Sequence, residues 1–267
     1  MKTVQEKRLS FSDDGHTVEL RAPRSWAELQ RGELGYILKL IARGKTAVEL
    51  EVLMLLRFTG IHIEKKLDSV FRCYAYASGG RRRYFHLSPW QVKELVKAFD
   101  WVDSYDDYDV RLDSVCGHKA VDPLLHGVTF NHYLNLGKYY QGYLRMRSEE
   151  LLDYMGQILY PKADGSIDAK MVLQPWERIH CMLWFGRVKA EFAQFFPNFL
   201  KPARVSGDAS DVTEYDVMEQ INVQLRALTD GDITKESAVM AMDCWRALTE
   251  LDAKAREAAE IKRKMKK

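Results

Sequence analysis

The chain is poor in the features that most often announce a function. It carries four cysteines in 267 residues, Cys73, Cys116, Cys181 and Cys244, with no two closer than 43 positions. That spacing excludes a CxxC redox pair and a zinc knuckle, and it points to reduced, mostly buried thiols. Long apolar runs are missing: the longest, residues 52–56 and 181–185 among them, hold five residues each, against about 20 for a membrane helix. Residues 1–14 lack the apolar core of a secretory signal, so a soluble, cytoplasmic protein with no membrane contact is expected. An excess of one charge is missing too. Forty Lys and Arg face thirty-eight Asp and Glu, a net +2. A polycation is therefore excluded, and any polyanion site must be local. No nucleophile elbow and no Gly-rich phosphate loop occurs. No catalytic residue can be named, no cofactor is implied, and a non-enzymatic role is expected.

What remains is a globular composition, 46% hydrophobic and 29% charged, in a chain long enough to bury a sizeable core. Its organisation changes near residue 113. Before that point, runs over residues 4–11 and 17–22 flank a Gly15 turn and predict a hairpin. Ser25 to Glu28 and Thr46 to Glu49 each have the form of a capping box. They predict helices ended by Gly44 and Gly60. Residues 70–77 and 81–87, around Gly79 and Gly80, predict a second hairpin. Ser88-Pro89 then opens a helix. Six aspartates between Asp100 and Asp113 suggest a long surface loop and a domain boundary, giving a mixed domain over residues 1–113 and a helical one over 114–267. After residue 129 the stripes are helical. Thr129, Ser148, Pro175, Thr213 and Thr234 start successive helices, the last reaching near the C-terminus, with Trp176, Leu183, Phe192 and Trp245 expected in the core. The class is α+β, mostly α, with short antiparallel strands confined to residues before about 90.

Three clusters bear on chemistry. Cys116, His118, His126 and His132 fall within seventeen residues, but their spacing matches no zinc pattern, and no metal is expected. The acidic stretch Asp103, Asp106, Asp107, Asp109 and Asp113 lacks the internal Gly and closing Glu of a calcium loop. Arg81, Arg82, Arg83, Tyr84, Phe85 and His86 form the strongest basic-aromatic cluster. On a strand, Arg81, Arg83 and Phe85 share one face, and Arg82, Tyr84 and His86 the other. These residues suit nucleic acid, guanidinium to phosphate and ring to base, or equally a charged sheet edge. At the other end, the apolar stripe fades after Leu251. Glu250–Lys254, Asp252–Arg256 and Glu260–Lys264 are spaced for ion pairs that extend a helix beyond its packed part. Ile261 and Met265 lie one turn apart among Lys262, Arg263 and Lys264, a small apolar anchor in a basic surround for a protein partner.

The residues Thr129-Phe130-Asn131-His132-Tyr133, Lys138-Tyr139-Tyr140-Gln141, Leu151-Leu152 and Ile158-Leu159-Tyr160-Pro161, with Leu225 to Thr229 and Ala241 to Leu248, carry a resemblance. Over residues 129–262 the chain resembles helical proteins encoded in the tail regions of Bacteroidetes phages and prophages, usually described as tail assembly chaperones or tail-associated proteins. The resemblance implies a non-enzymatic protein that holds partner chains, possible phage tail components, during virion assembly in the host cytoplasm. Nucleic-acid binding through Arg81 to Phe85 and the Lys-rich C-terminus is the alternative.

Overall fold

The computed structural model describes residues 7–13, 16–76, 80–200 and 214–265. The chain divides into two compact units, Met1–Val110 and Arg111–Lys267. Short antiparallel strands mark the first and helices the second, so the fold is α+β with helix dominant.

In the first unit, β1 (Lys7–Asp13) and β2 (His16–Ala22) form an antiparallel ladder from Lys7↔Ala22 to Asp13↔His16. Ser25 does not cap a helix. A single 3-10 turn, Trp26–Glu28, follows it, and the Glu28 carboxylate accepts from the Arg24 amide instead. The first helix, α1 (Arg31–Ala42), starts later, with Gln30 and Glu33 as the reciprocal cap. The second box forms as its sequence demands. Thr46 and Glu49 exchange bonds at the start of α2 (Ala47–Thr59), and Gly60 ends it at φ 67°, a left-handed conformation that glycine adopts without Cβ strain. Lys45 and the Thr46 amide hold the Glu49 carboxyl at about 2.

A three-stranded antiparallel sheet follows, in the order β3 (His62–Lys66), β4 (Phe71–Tyr76), β5 (Arg82–Leu87). The sequence showed only the last two of these. Strand β3, with two lysines and a fully exposed burial pattern, has no apolar alternation to mark it. Ser88 and Pro89 open α3 (Pro89–Val96) with a complete capping box. The aspartate-rich stretch is not a loop throughout. It continues as 3-10 turns, Lys97–Asp103 and Tyr105–Asp107, and it contributes core. Phe99, Val102 and Tyr108 are fully buried, and the Trp26 ring meets Trp101 at 5.2 Å and Tyr108 at 5.0 Å, edge to face. Asp100, Asp103, Asp107 and Asp109 are exposed while Phe99, Val102 and Tyr108 between and beside them face in.

The second unit begins with a ladder that the sequence did not show, β6 (Ser114–Val115) against β7 (His118–Lys119). Cys116 and Gly117 turn it, both at positive φ, the pairing a tight hairpin turn requires. Strands are therefore not confined to residues before 90. The rest is helical: α4 (Phe130–Met146), α5 (Glu150–Leu159), α6 (Pro175–Phe195) and α7 (Glu214–Thr229). Thr129 caps α4 through the His132 amide, and Pro175 is the first residue of α6. The start that the sequence placed at Thr213 lies outside the described residues.

The last helix is interrupted. A 3-10 turn, Ile233–Lys235, leads into α8 (Glu236–Ala241), and after Met242 and Asp243 the chain restarts as α9 (Cys244–Lys264). Asp243 causes the break. Its Oδ1 accepts from the Trp245 and Arg246 amides, while Oδ2 accepts from Gly127 N–H at 2.6 Å, ahead of α4. The main chain closes the same junction, Phe130 N–H to Met242 O at 2.7 Å and Cys244 N–H to Val128 O at 2.9 Å.

Of the four expected core residues, Leu183 and Phe192 are buried. Trp176 and Trp245 are half-buried. Trp245 packs its ring on Phe192, Phe195 and Phe196, donates to Leu124 O and stacks under His126 at 4.5 Å, which leaves one edge to solvent. The packed part of α9 also runs further than its apolar stripe. Leu251 is buried. Asp252 then accepts from Asn198 and the Phe199 amide, and Lys254 reaches Ala227 O and Asp230, both at 2.6 Å. Lys254 thus binds α7 and the turn after it rather than Glu250. From residue 256 to 265 every residue is exposed.

A buried polar centre organises the same unit. His180, fully buried on α6, accepts from the Leu112 amide (3.4 Å). The Tyr160 hydroxyl lies 2.9 Å from the same nitrogen and donates to Leu112 O (3.2 Å). Burial pushes the imidazole down to about 3, so it is neutral. In the same unit, Asp153 receives both Arg178 and the Leu173 amide. All four cysteines are free, three of them buried, with Cys73 raised to about 11 and Cys244 to about 12 by burial. No helix among the described residues is long and apolar enough to cross a membrane.

Candidate nucleic-acid interface

The alternation of β4 and β5 sorts the basic-aromatic cluster. Cys73, Phe85 and Leu87 point inward and are at most 2% exposed. The opposite face carries Arg72, Tyr74 and Tyr76 from β4 and Arg82, Tyr84 and His86 from β5. The register aligns Arg72 with His86, Tyr74 with Tyr84 and Tyr76 with Arg82. Strand β3 adds His62 opposite Tyr74, and an irregularity at Glu64 brings Lys65 opposite Arg72. Pairing therefore lays three rings, His62, Tyr74 and Tyr84, in a row across three strands.

The row is held by its own chemistry. His62 stacks on Tyr74 at 4.9 Å and 14°. Tyr74 lies 5.8 Å from Tyr84 and 5.7 Å from Tyr76. The Arg82 guanidinium sits 4.7 Å over the Tyr74 ring, and Arg72 sits 5.0 Å over Tyr84 while pairing with Glu64 at 3.1 Å. Hydrogen bonds to Tyr84 and Tyr76 raise Arg82 further above its ordinary value, so its charge is fixed. Tyr76 is 54% and Tyr84 43% exposed, which leaves ring surface available. Lys65, opposite Arg72, and Arg81, just before β5, are exposed around the face. It is a local basic field of the kind that the near-zero net charge leaves room for.

The five residues singled out in the sequence are thus divided. Arg82 and Tyr84 belong to the face. Arg81 precedes β5 and Arg83 shares Phe85's side of the strand, both exposed. Phe85 is core, not contact, because it faces Cys73 on the buried side. His62, Arg72, Tyr74 and Tyr76 were missed. The signal for three of them is the alternation of Arg72, Tyr74 and Tyr76 in the strand before the cluster.

The other two clusters come out differently. At the C-terminus, Ile261 is 59% and Met265 83% exposed, with Lys262, Arg263 and Lys264 exposed beside them. The cysteine and histidines do not converge: His118 meets Asp168 at 3.2 Å, and His126 meets Asp122 at 2.8 Å. No group of three or more potential metal ligands lies together among the described residues. The Cys116 thiol is pushed up by burial and by the carboxylates of Glu177, Asp153 and Asp168, the wrong direction for a nucleophile.

No family model, curated protein or solved structure matches the chain.

Proposed function

We propose that the first unit binds single-stranded nucleic acid on the exposed face of β3, β4 and β5. The observation that supports this most is the cross-strand row His62–Tyr74–Tyr84 with Arg82 and Arg72 lying over its rings. Unpaired bases offer π-faces for exposed rings, each stack contributing about 1–3 kcal/mol, and guanidinium groups set between rings meet the phosphates. Duplex would not present its bases to a flat sheet, so the reading favours single strands. The test is fluorescence anisotropy with a labelled single-stranded oligonucleotide and its duplex at several salt concentrations. Preferential binding to the single strand, weakening as salt rises, is expected. Loss of affinity in Tyr74→Ala and Arg82→Ala, with the fold intact by circular dichroism, should follow. Absence of binding at low salt would end this reading.

A second reading draws on the other unit: a non-enzymatic assembly protein of a phage-type tail that docks a protein partner on the end of α9. Its support is the resemblance over residues 129–262 and the exposure of Ile261 and Met265 beside three basic residues. Ile261→Asp together with Met265→Asp should abolish capture of neighbouring tail-gene products while leaving the melting temperature unchanged. Capture that survives the double substitution would remove α9 from that role.

A further inference from the structure

The outer face of β3, β4 and β5 carries a second cross-strand row beside the rings. Register puts Lys65 opposite Arg72 and Arg72 opposite His86, so three basic side chains cross the sheet. On β4 and β5 this basic row lies two residues from the ring row of Tyr74 and Tyr84, about 7 Å at the rise of a strand. Tyr76 and Arg82 form a further pair two residues beyond the rings. The face is therefore graded from basic to aromatic along the strands, while each row runs across them.

The side chains in these rows differ in what they leave open. Tyr74, on the central strand, has His62 from β3 stacked on it at 4.9 Å and the Arg82 guanidinium from β5 over it at 4.7 Å. It is half-buried and acts as a pillar for its neighbours. Arg82 also donates to the hydroxyls of Tyr76 and Tyr84, which fixes two rings that are 54% and 43% exposed. Ring surface for a base thus lies around Tyr74 rather than on it, at His62, Tyr76 and Tyr84. In the basic row, Lys65 and His86 are exposed at the two edges. Arg72 pairs with the Glu64 carboxylate at 3.1 Å, both partly exposed, so an arriving phosphate displaces one carboxylate. Among the described residues the sheet ends at β3 and β5. With strands about 4.8 Å apart, each row is about 10 Å long. A sheet platform of such width stacks about two or three bases.

Resting on the single-strand reading above, we infer that this face takes a short unpaired segment of two or three nucleotides. Its sugar–phosphate backbone crosses the strands over Lys65, Arg72 and His86, and its bases turn along the strands onto His62, Tyr84 and Tyr76. A loop, a bulge or a free end meets that description. A longer strand makes no further contact with the sheet once it passes either edge.

Fluorescence anisotropy on the full chain tests this with labelled twelve-nucleotide single strands. Each carries a central run of zero, one, two, three or six thymidines in an otherwise abasic backbone, so the phosphate number stays constant. Affinity is expected to rise about tenfold with each of the first two bases, and at most about fourfold from three bases to six, the gain from added registers. The slope of log affinity against log salt reports the phosphates held, at about −0.7 for each. Lys65→Gln and Arg72→Gln should each flatten it by about 0.7. Tyr84→Ala should weaken binding at every salt concentration and leave the slope unchanged. Three results overturn the inference while the strands still bind: no gain from the first two bases, a further tenfold gain between three and six, or a slope that Tyr84→Ala flattens as much as Lys65→Gln and Arg72→Gln do. If no strand of the series binds, it is the single-strand reading itself that has failed, and the inference falls with it.

Discussion

The two units use aromatic residues in opposite ways. In the helical unit, rings close on one another: Phe192, Phe196 and Trp245 pack within 5.6 Å of each other, and the two phenylalanines are buried. In the first unit, a second set of rings is equally close but faces outward with two guanidinium groups among them. Buried rings are explained by the area they remove from water. Rings held in register on an exposed face, with cations that would rather be hydrated, are not, and they direct attention to a ligand. The contrast makes the residues of one set structural and those of the other available.

That contrast can be broken by stability measurements. Phe192→Ala should cost about 3–5 kcal/mol in denaturant melts, the range for emptying a large aromatic site. Tyr84→Ala should cost less than about 1 kcal/mol. Equal losses would show that the sheet face is core. The polar centre gives a pH-dependent version. His180 titrates near 3 when folded and about 6.5 when unfolded, so its folded value is depressed. The stability it confers is complete above pH 6.5 and is lost as pH falls toward 3, about 2 kcal/mol by pH 5. His180→Phe should flatten that part of the profile in a series of melts. Asp243→Ala removes acceptors for Gly127, Trp245 and Arg246 and should cost about 1–3 kcal/mol, whereas loss of less than 0.5 kcal/mol (about the surface norm) would mean that the main-chain bonds alone hold the junction. On the sheet, Tyr74→Ala should weaken oligonucleotide binding by about 1–3 kcal/mol with little effect on folding. The smallest effect is expected at the end of α9: removing residues 256–267 should shift stability by about 0.5 kcal/mol at most. Removal from residue 252 would also break the bonds of Asp252 and Lys254 and should cost measurably more.

Capping chemistry was the most legible part of the sequence. Thr46-Glu49, Ser88-Gln91 and Thr129 form the bonds their spacing calls for, because these interactions are local. Ser25-Glu28 has the same spelling and fails: Trp26 is drawn into the core against Trp101 and Tyr108, and the chain there makes only one 3-10 turn. Tertiary packing outweighs a cap worth about 1 kcal/mol. The break at Asp243 was hidden for a related reason, since one of the three amides its side chain binds lies 116 residues away. On the sheet, the composition of β5 was readable, but which of its residues shared a face with Tyr74 and His62 depended on register. Register is set by pairing across strands, one of which had no sequence pattern at all.

The Asp243 junction also sets an order of events as the protein is made. Gly127, Val128 and Phe130 emerge from the ribosome well before Asp243, Met242 and Cys244, their partners. At roughly 5–20 residues per second, the start of α4 waits about 6 to 23 s for the residues that close it. Trp245, which bonds to Leu124 across 121 positions, arrives in the same interval. The helical unit therefore cannot complete its fold progressively from one end. Until α9 appears, the apolar surface around Phe192 and Phe196 stays uncovered on the nascent chain, and that interval is when this half of the molecule is most exposed to misassociation or to a chaperone.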